Sequence, residues 1–257
     1  QRMRKLGGII SDELLISKEK VELMSSICKV DLMSDLVNEF PELQGIMGSY
    51  FAEAQQFDKD IVLAISEQYL PVGLDSKIPK KPFSIVLALS DKLDTLIGFF
   101  GLNQKPTSSK DPYALRRLAL GFVRILIENN KKFKIKDLIN YSLQLYQEQG
   151  FVFKNKSSSN ELIDFLMERL KYYMKEKNIR IDIIEASQKS FGIDNITITY
   201  KKSETLNKFI DKDIGINIIS SYKRAFNILE NELKNTEIEL SNTDDPELFK
   251  NEYEKNL

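Results

Sequence analysis

Histidine and tryptophan are absent from the 257 residues, and cysteine occurs once, at Cys28. Without histidine there is no Ser-His-Asp triad, no imidazole acid or base, and no zinc site built on imidazole. A single cysteine excludes an internal disulfide and a thiolate metal cluster. The opening Gln1-Arg2-Met3-Arg4 also lacks the apolar core of a secretion signal, so a reducing, cytoplasmic setting is expected. Long apolar runs are missing as well. The most apolar stretch, Phe83 to Phe100, is interrupted by Asp91, Lys92 and Asp94, and no stretch reaches the ~18 apolar residues of a membrane span. A soluble protein is expected, with no membrane partner. Carboxylates alone remain in number as metal ligands, which makes a Mg²⁺ or Mn²⁺ site improbable without removing it.

What is present is an ordinary globular balance, 42% hydrophobic and 29% charged, which sets the chain apart from disordered sequences. The net charge of −1 hides two opposed zones. Between 105 and 136 nine basic residues (Lys105, Lys110, Arg116, Arg117, Arg124, Lys131, Lys132, Lys134, Lys136) face only Asp111 and Glu128. From Glu230 onward nine acidic residues face three basic ones. The chain starts without Met, and Pro246 to Glu254 reads as a helix barely begun, so both ends read as cut.

The periodicity is helical nearly throughout. Ser17 caps a helix carrying Val21, Met24, Ile27, Cys28 and Val30 and running towards Phe40, where Pro41 stops it. Pro41 then opens the next helix, with Leu43, Ile46, Met47, Tyr50 and Phe51 on its buried face. Gly45 and Gly48 leave a smooth patch on that helix, suited to close approach by another backbone. Asp58 caps a short helix ending at Pro71. Phe83 to Phe100 is apolar nearly all round, the mark of a central helix. After a loop rich in turn formers, Asp111-Pro112 starts a helix to about Asn129, with Arg117 and Arg124 on one side. Helices follow at about 136–149 and 160–178, and the stretch 154–160 between them reads as a linker and domain boundary. Residues 193–200 fit both a strand and a helical face. Residues 214–233 form a strongly amphipathic helix.

Two constellations carry chemistry. Lys105-Pro-Thr-Ser-Ser-Lys-Asp-Pro-Tyr-Ala-Leu-Arg-Arg117 suits a phosphate backbone, through loop amides, the hydroxyls of Thr107 and Ser108, the cations Lys105 and Lys110, a helix start, and the forked donors Arg116 and Arg117, with Arg124 beyond. The competing reading is Asp111 capping the helix and pairing with Arg116 or Arg117, the lysines being merely solvated. Asp91 and Asp94, one turn apart, suggest a carboxylate pair for metal or acid–base chemistry, against a structural reading in which Arg116, Arg117 or Lys92 pairs with them. Glu39 and Glu42 around Pro41 read as caps and ion pairs, and Cys28 as core.

Taken together, Lys29-Val-Asp-Leu, Glu39-Phe-Pro-Glu-Leu-Gln-Gly-Ile-Met-Gly48, Ser90-Asp-Lys-Leu-Asp-Thr-Leu96 and the 105–117 motif closely resemble the β-subunit family of the bacterial two-subunit glycyl-tRNA synthetase. Phe165 to Leu170, Ile181 to Ala186, Tyr222 to Leu229 and Asp245 to Phe249 fit its later part. The resemblance implies an all-α architecture: an HD-like helical domain over 1–153 with its metal ligands lost, a helical linker domain over 154–213, and the truncated beginning of an anticodon-binding domain over 214–257. It implies tRNA(Gly) and the α subunit as partners, no DNA, and no catalytic residue, metal or cofactor in this piece, with ATP and Mg²⁺ at the α subunit. It marks Lys105, Thr107, Ser108, Lys110, Arg116, Arg117 and Arg124 for tRNA contact. Asp31 and Asp91 look like the remaining carboxylates of a degenerate HD metal site, with Glu39, Gln44, Gly45, Gly48, Asp94 and Asp111 as structural motif positions. The family has more chain between Lys5-Leu-Gly7 and Lys29-to-Leu32, which leaves the first helix undefined, and Ser108 stands where glycine is expected. Two other readings stay open: a working HD-type metal-dependent phosphohydrolase, and a helical module that holds the α subunit without touching RNA.

Overall fold

The structure, a computed structural model, describes residues 1–191 and 195–235. The expected helix near Pro246 and most of the acidic zone lie outside these residues. All regular structure among the described residues is helical. The chain divides into two compact units, 1–207 and 208–257.

The first unit is built round α6 (Pro82–Gly101). Every residue from Ser84 to Leu93 on that helix is buried, as a run apolar on all sides requires. Around it pack α1 (Arg2–Leu14), α5 (Lys59–Glu67), α7 (Leu115–Glu128), α8 (Ile135–Glu148) and α9 (Ser158–Glu176). Small residues set the approach of the neighbours. A Cβ on Gly101 would fall within the Phe153 ring, and one on Gly98 would fall 2.5 Å from the Tyr146 hydroxyl, so two aromatic side chains reach the helix only because these positions are bare. The 154–160 stretch leads straight into α9, which packs on α6, α7 and α8. The compact unit therefore continues well beyond the expected linker.

Three expectations near the start are corrected. The helix from Ser17 does not run to Phe40: α2 (Lys18–Ile27) is followed by a 3-10 turn (Val30–Met33) and a separate α3 (Asp35–Glu39). Ser34 starts α3 by accepting a hydrogen bond from the Val37 N–H, so the signature of a second helix start was present in the sequence. Pro41 opens only a 3-10 turn (Pro41–Leu43), because Gly45, at φ +83°, reverses the chain before α4 (Ile46–Ala54). That turn also reorients the helix. Its buried residues are Gly48, Ser49 and Ala52, while Ile46, Tyr50 and Phe51 are exposed. The close approach expected at these glycines is present at Gly45, where a Cβ would fall 3.3 Å from the Ile65 backbone carbonyl of α5 as well as against the Tyr69 ring, while Gly48 meets the Ile65 side chain and the Asp31 carboxylate.

Beyond α9 come α10 (Ile181–Phe191) and α11 (Ile196–Ile210), which makes the ambiguous segment helical from 196 onward. Thr197 donates its hydroxyl to the Lys131 carbonyl at 2.5 Å. In the second unit, α12 (Asp213–Asn235) is the amphipathic helix expected, with Ile214, Ile218, Tyr222, Phe226, Leu229 and Leu233 all exposed.

Candidate nucleic-acid interface

The basic loop is held open by a small internal framework. The Thr107 N–H donates to the Lys110 carbonyl at 2.9 Å, and the Lys110 N–H returns a bond to Thr107 Oγ1 at 3.2 Å, closing a tight turn. The Asp111 carboxylate accepts from the Leu115 and Arg116 N–H groups at 2.8 and 3.0 Å, so it satisfies the start of α7 as a cap. Pro112 is not in the first helical turn. The helix begins three residues later, after Ala114 at φ +52°.

The seven basic-loop residues marked by sequence divide into three groups. Arg124 is a correction: it is 5% exposed, and its guanidinium is taken up by Glu128 Oε1 (2.7 Å) and the carbonyls of Gly73 (2.6 Å) and Ser76 (2.9 Å). Seven residues do bring Arg124 under Arg117 on α7, but the 73–76 loop covers that turn, so Arg124 clamps the loop and does not face solvent. Lys105 pairs with Glu161 at 2.8 Å, a half-exposed bridge of small energetic weight. Arg116 donates to the Thr107 carbonyl at 2.5 Å and braces the turn. Among the described residues Lys110 and Arg117 are exposed and without an ion-pair partner, with the exposed hydroxyls of Thr107 and Ser108 beside them.

The carboxylates are spoken for by other residues than expected. Asp94 forms a forked pair with Arg2, at 2.8 and 3.0 Å, and Asp91 pairs with Lys29 at 2.8 Å. Neither Arg116 nor Arg117 reaches them, because the turn before α7 leads those side chains outward. Asp31 is fully buried; one carboxylate oxygen accepts from the Gly45 N–H at 2.6 Å, next to the start of α4, and the other has no hydrogen-bond partner. Asp31 and Asp91 both act on the buried Cys28 thiol, whose pKa rises to about 11, chiefly through burial. Both carboxylates therefore lie within electrostatic reach of Cys28.

That neighbourhood does not fit a divalent metal. Asp91 already faces the Lys29 ammonium, Lys92 lies alongside with 1% exposure, and among the described residues no three His, Cys, Asp or Glu side chains form a group able to hold a metal ion. Burial lowers the Lys29 pKa, but Asp91 and Tyr69 more than offset this and leave it raised. Burial pulls Lys92 down to about 8. The cation in this site is a lysine side chain.

Sequence reasoning missed Lys29 and Arg2 as the partners. It also missed a half-open pocket of about 460 Å³ beside this cluster, lined by Pro41, Glu42, Gln44, Tyr69, Pro71, Val72, Tyr113, Ala114, Arg117 and Leu118. The Tyr69 hydroxyl accepts from Gln44 Nε2 at 2.5 Å and from Lys29 Nζ at 2.9 Å, which ties the pocket wall to the buried pair. Tyr113, an aromatic residue set in a basic loop, was the available signal.

Fold and site together define an all-helical protein with a self-neutralised internal charge cluster and a basic loop turned to solvent, in which no helix of the described residues is long and apolar enough to cross a membrane. A family model described as "Glycyl-tRNA synthetase beta subunit" matches residues 1–189. The chain is 38% identical over 256 residues to the glycine–tRNA ligase β subunit of Cereibacter sphaeroides, covering all of this chain and 37% of that protein. It is 39% identical over 235 residues to the β subunit of Rickettsia canadensis, covering 91% of this chain and 33% of that one, and 37% identical over 244 residues to that of Rickettsia prowazekii, covering 94% and 34%. The chain belongs to the glycyl-tRNA synthetase β-subunit family and spans about a third of the length of these relatives.

Proposed function

We propose that this chain supplies tRNA-binding surface to a glycine–tRNA ligase, with tRNA(Gly) as the nucleic acid and the α subunit as its protein partner. In this reading ATP and Mg²⁺ serve the α subunit, no reacting group belongs to this piece, residues from 214 begin an anticodon-binding domain, and the setting is the reducing cytoplasm. The observation that carries it is the exposure of Lys110 and Arg117, without ion-pair partners among the described residues, on a loop whose own acidic residue, Asp111, is consumed as a cap. Cations left unpaired at the surface are those available to displace counterions from phosphate.

The test is the salt dependence of tRNA(Gly) binding by this chain. Arg117→Glu is expected to weaken binding and to reduce the slope of log K against log salt by roughly 0.9 for each phosphate no longer neutralised. An unchanged slope in a folded variant removes the loop from the interface. Capture of the α subunit by a chain that shows no tRNA affinity would replace the RNA reading with a purely subunit-holding one.

A further inference from the structure

We infer that the pocket between the Pro41–Gln44 turn, the end of the α5 segment and the start of α7 takes in one unstacked nucleotide whose base carries an exocyclic amino group. The inference rests on the tRNA reading above and deepens it. The volume, about 460 Å³, lies in the range of sites that enclose small ligands. The lining has the parts such a ligand requires. Tyr113 is backed by Phe99, ring centroids 4.3 Å apart, and is half-exposed, which makes it a braced aromatic platform for stacking. Arg117 lies on the same wall, exposed and unpaired among the described residues, where a nucleotide phosphate would meet it.

The polar edge is set by the buried cluster behind the pocket. Tyr69 Oη already accepts two hydrogen bonds, from Gln44 Nε2 and Lys29 Nζ, so the phenol has its own proton left to donate. Gln44 has its amide nitrogen engaged and its carbonyl oxygen left to accept, and Glu42 adds a carboxylate. A wall with two acceptors and one neutral donor matches the N–H and N–H₂ groups of guanine beside its O6, and a carboxylate likewise accepts from the amino group of cytosine. Uracil, with a single N–H and no amino group, matches it worst. Glu42 in the lining also favours a base over a bare phosphate, which would gain nothing from a carboxylate there.

Two readouts on this chain test the inference. The first is saturation-transfer NMR with GMP, CMP and UMP, where GMP and CMP should take up signal transfer well above UMP and Glu42→Gln should abolish the difference. The second is the tRNA(Gly) salt titration. Tyr113→Ala and Gln44→Ala should lower affinity by roughly tenfold at every salt concentration with the slope unchanged, since stacking and base contacts release no counterions. Lys110→Glu should change the slope. Wild-type affinity in both Tyr113→Ala and Gln44→Ala, together with no mononucleotide preference, overturns the pocket while leaving the tRNA reading standing. Uptake of GMP by a chain that binds no tRNA keeps the pocket and overturns the tRNA reading instead. Gln44→Ala and Glu42→Gln, on a surface turn, guard against a Tyr113 variant that fails to fold.

Discussion

Single residues decide what the buried centre of this protein can do. Lys29 and Asp91 form an ion pair with Lys92 packed alongside, so the centre is held by its own charges. Removing Asp91 by Asp91→Asn leaves two cations facing one another. Loss of one member of a buried pair typically costs about 3–5 kcal/mol, and because Lys29 keeps a third of its side chain exposed, roughly 2–3 kcal/mol is expected in a urea melt. Combining Asp91→Asn with Lys29→Met should recover part of that loss, and strictly additive effects would show the pair is not coupled. Lys92 gives a pH signature. Burial places its pKa at about 8 in the folded chain against 10.5 for the free side chain, so above about pH 8 the unfolded chain holds a proton that the folded chain has released. Stability should therefore rise with pH from about 8 towards 9.5, by an amount on the order of 1–2 kcal/mol. The rise should vanish in Lys92→Met, and its persistence there would assign it to another group.

At the scale of elements, α6 sets the fold and its two bare positions set the approach of its neighbours. Glycine to alanine inside a helix ordinarily gains about 1 kcal/mol. Gly101→Ala should instead destabilise by roughly 1–3 kcal/mol through overpacking, since its Cβ would fall within the Phe153 ring. Shortening the ring with Phe153→Ala in the same chain should turn the glycine substitution neutral or favourable, a comparison thermal melts can make. Elements with a strong period were legible in the sequence: α5, α6, α8, α9 and α12 lie close to their expected spans, because each carries a dense, periodic set of apolar residues and clear end signals. The 28–45 region was not, because short turns there follow from Ser34 as a second cap and from Gly45 at positive φ, features that periodicity does not weigh. In the candidate interface, the Asp111 cap and the exposure of Lys110 and Arg117 follow from local sequence. The burial of Arg124, the pairing of Asp94 with Arg2 and the pocket all depend on segments far apart in the chain, which local spacing does not encode.

For the whole molecule, a net charge near zero conceals a division of labour. Interior lysines and carboxylates cancel one another, and the cations that remain unpaired near the start of α7 are outward and few. That distribution is what the proposed tRNA-binding role requires of this surface. The most direct test is the binding of tRNA(Gly) by this chain across a series of salt concentrations, for the unaltered protein and for Lys110→Glu with Arg117→Glu, with the fold checked by circular dichroism. A slope reduced by roughly two in the double variant is the predicted result. A folded double variant that binds with the unaltered slope and affinity would contradict the account.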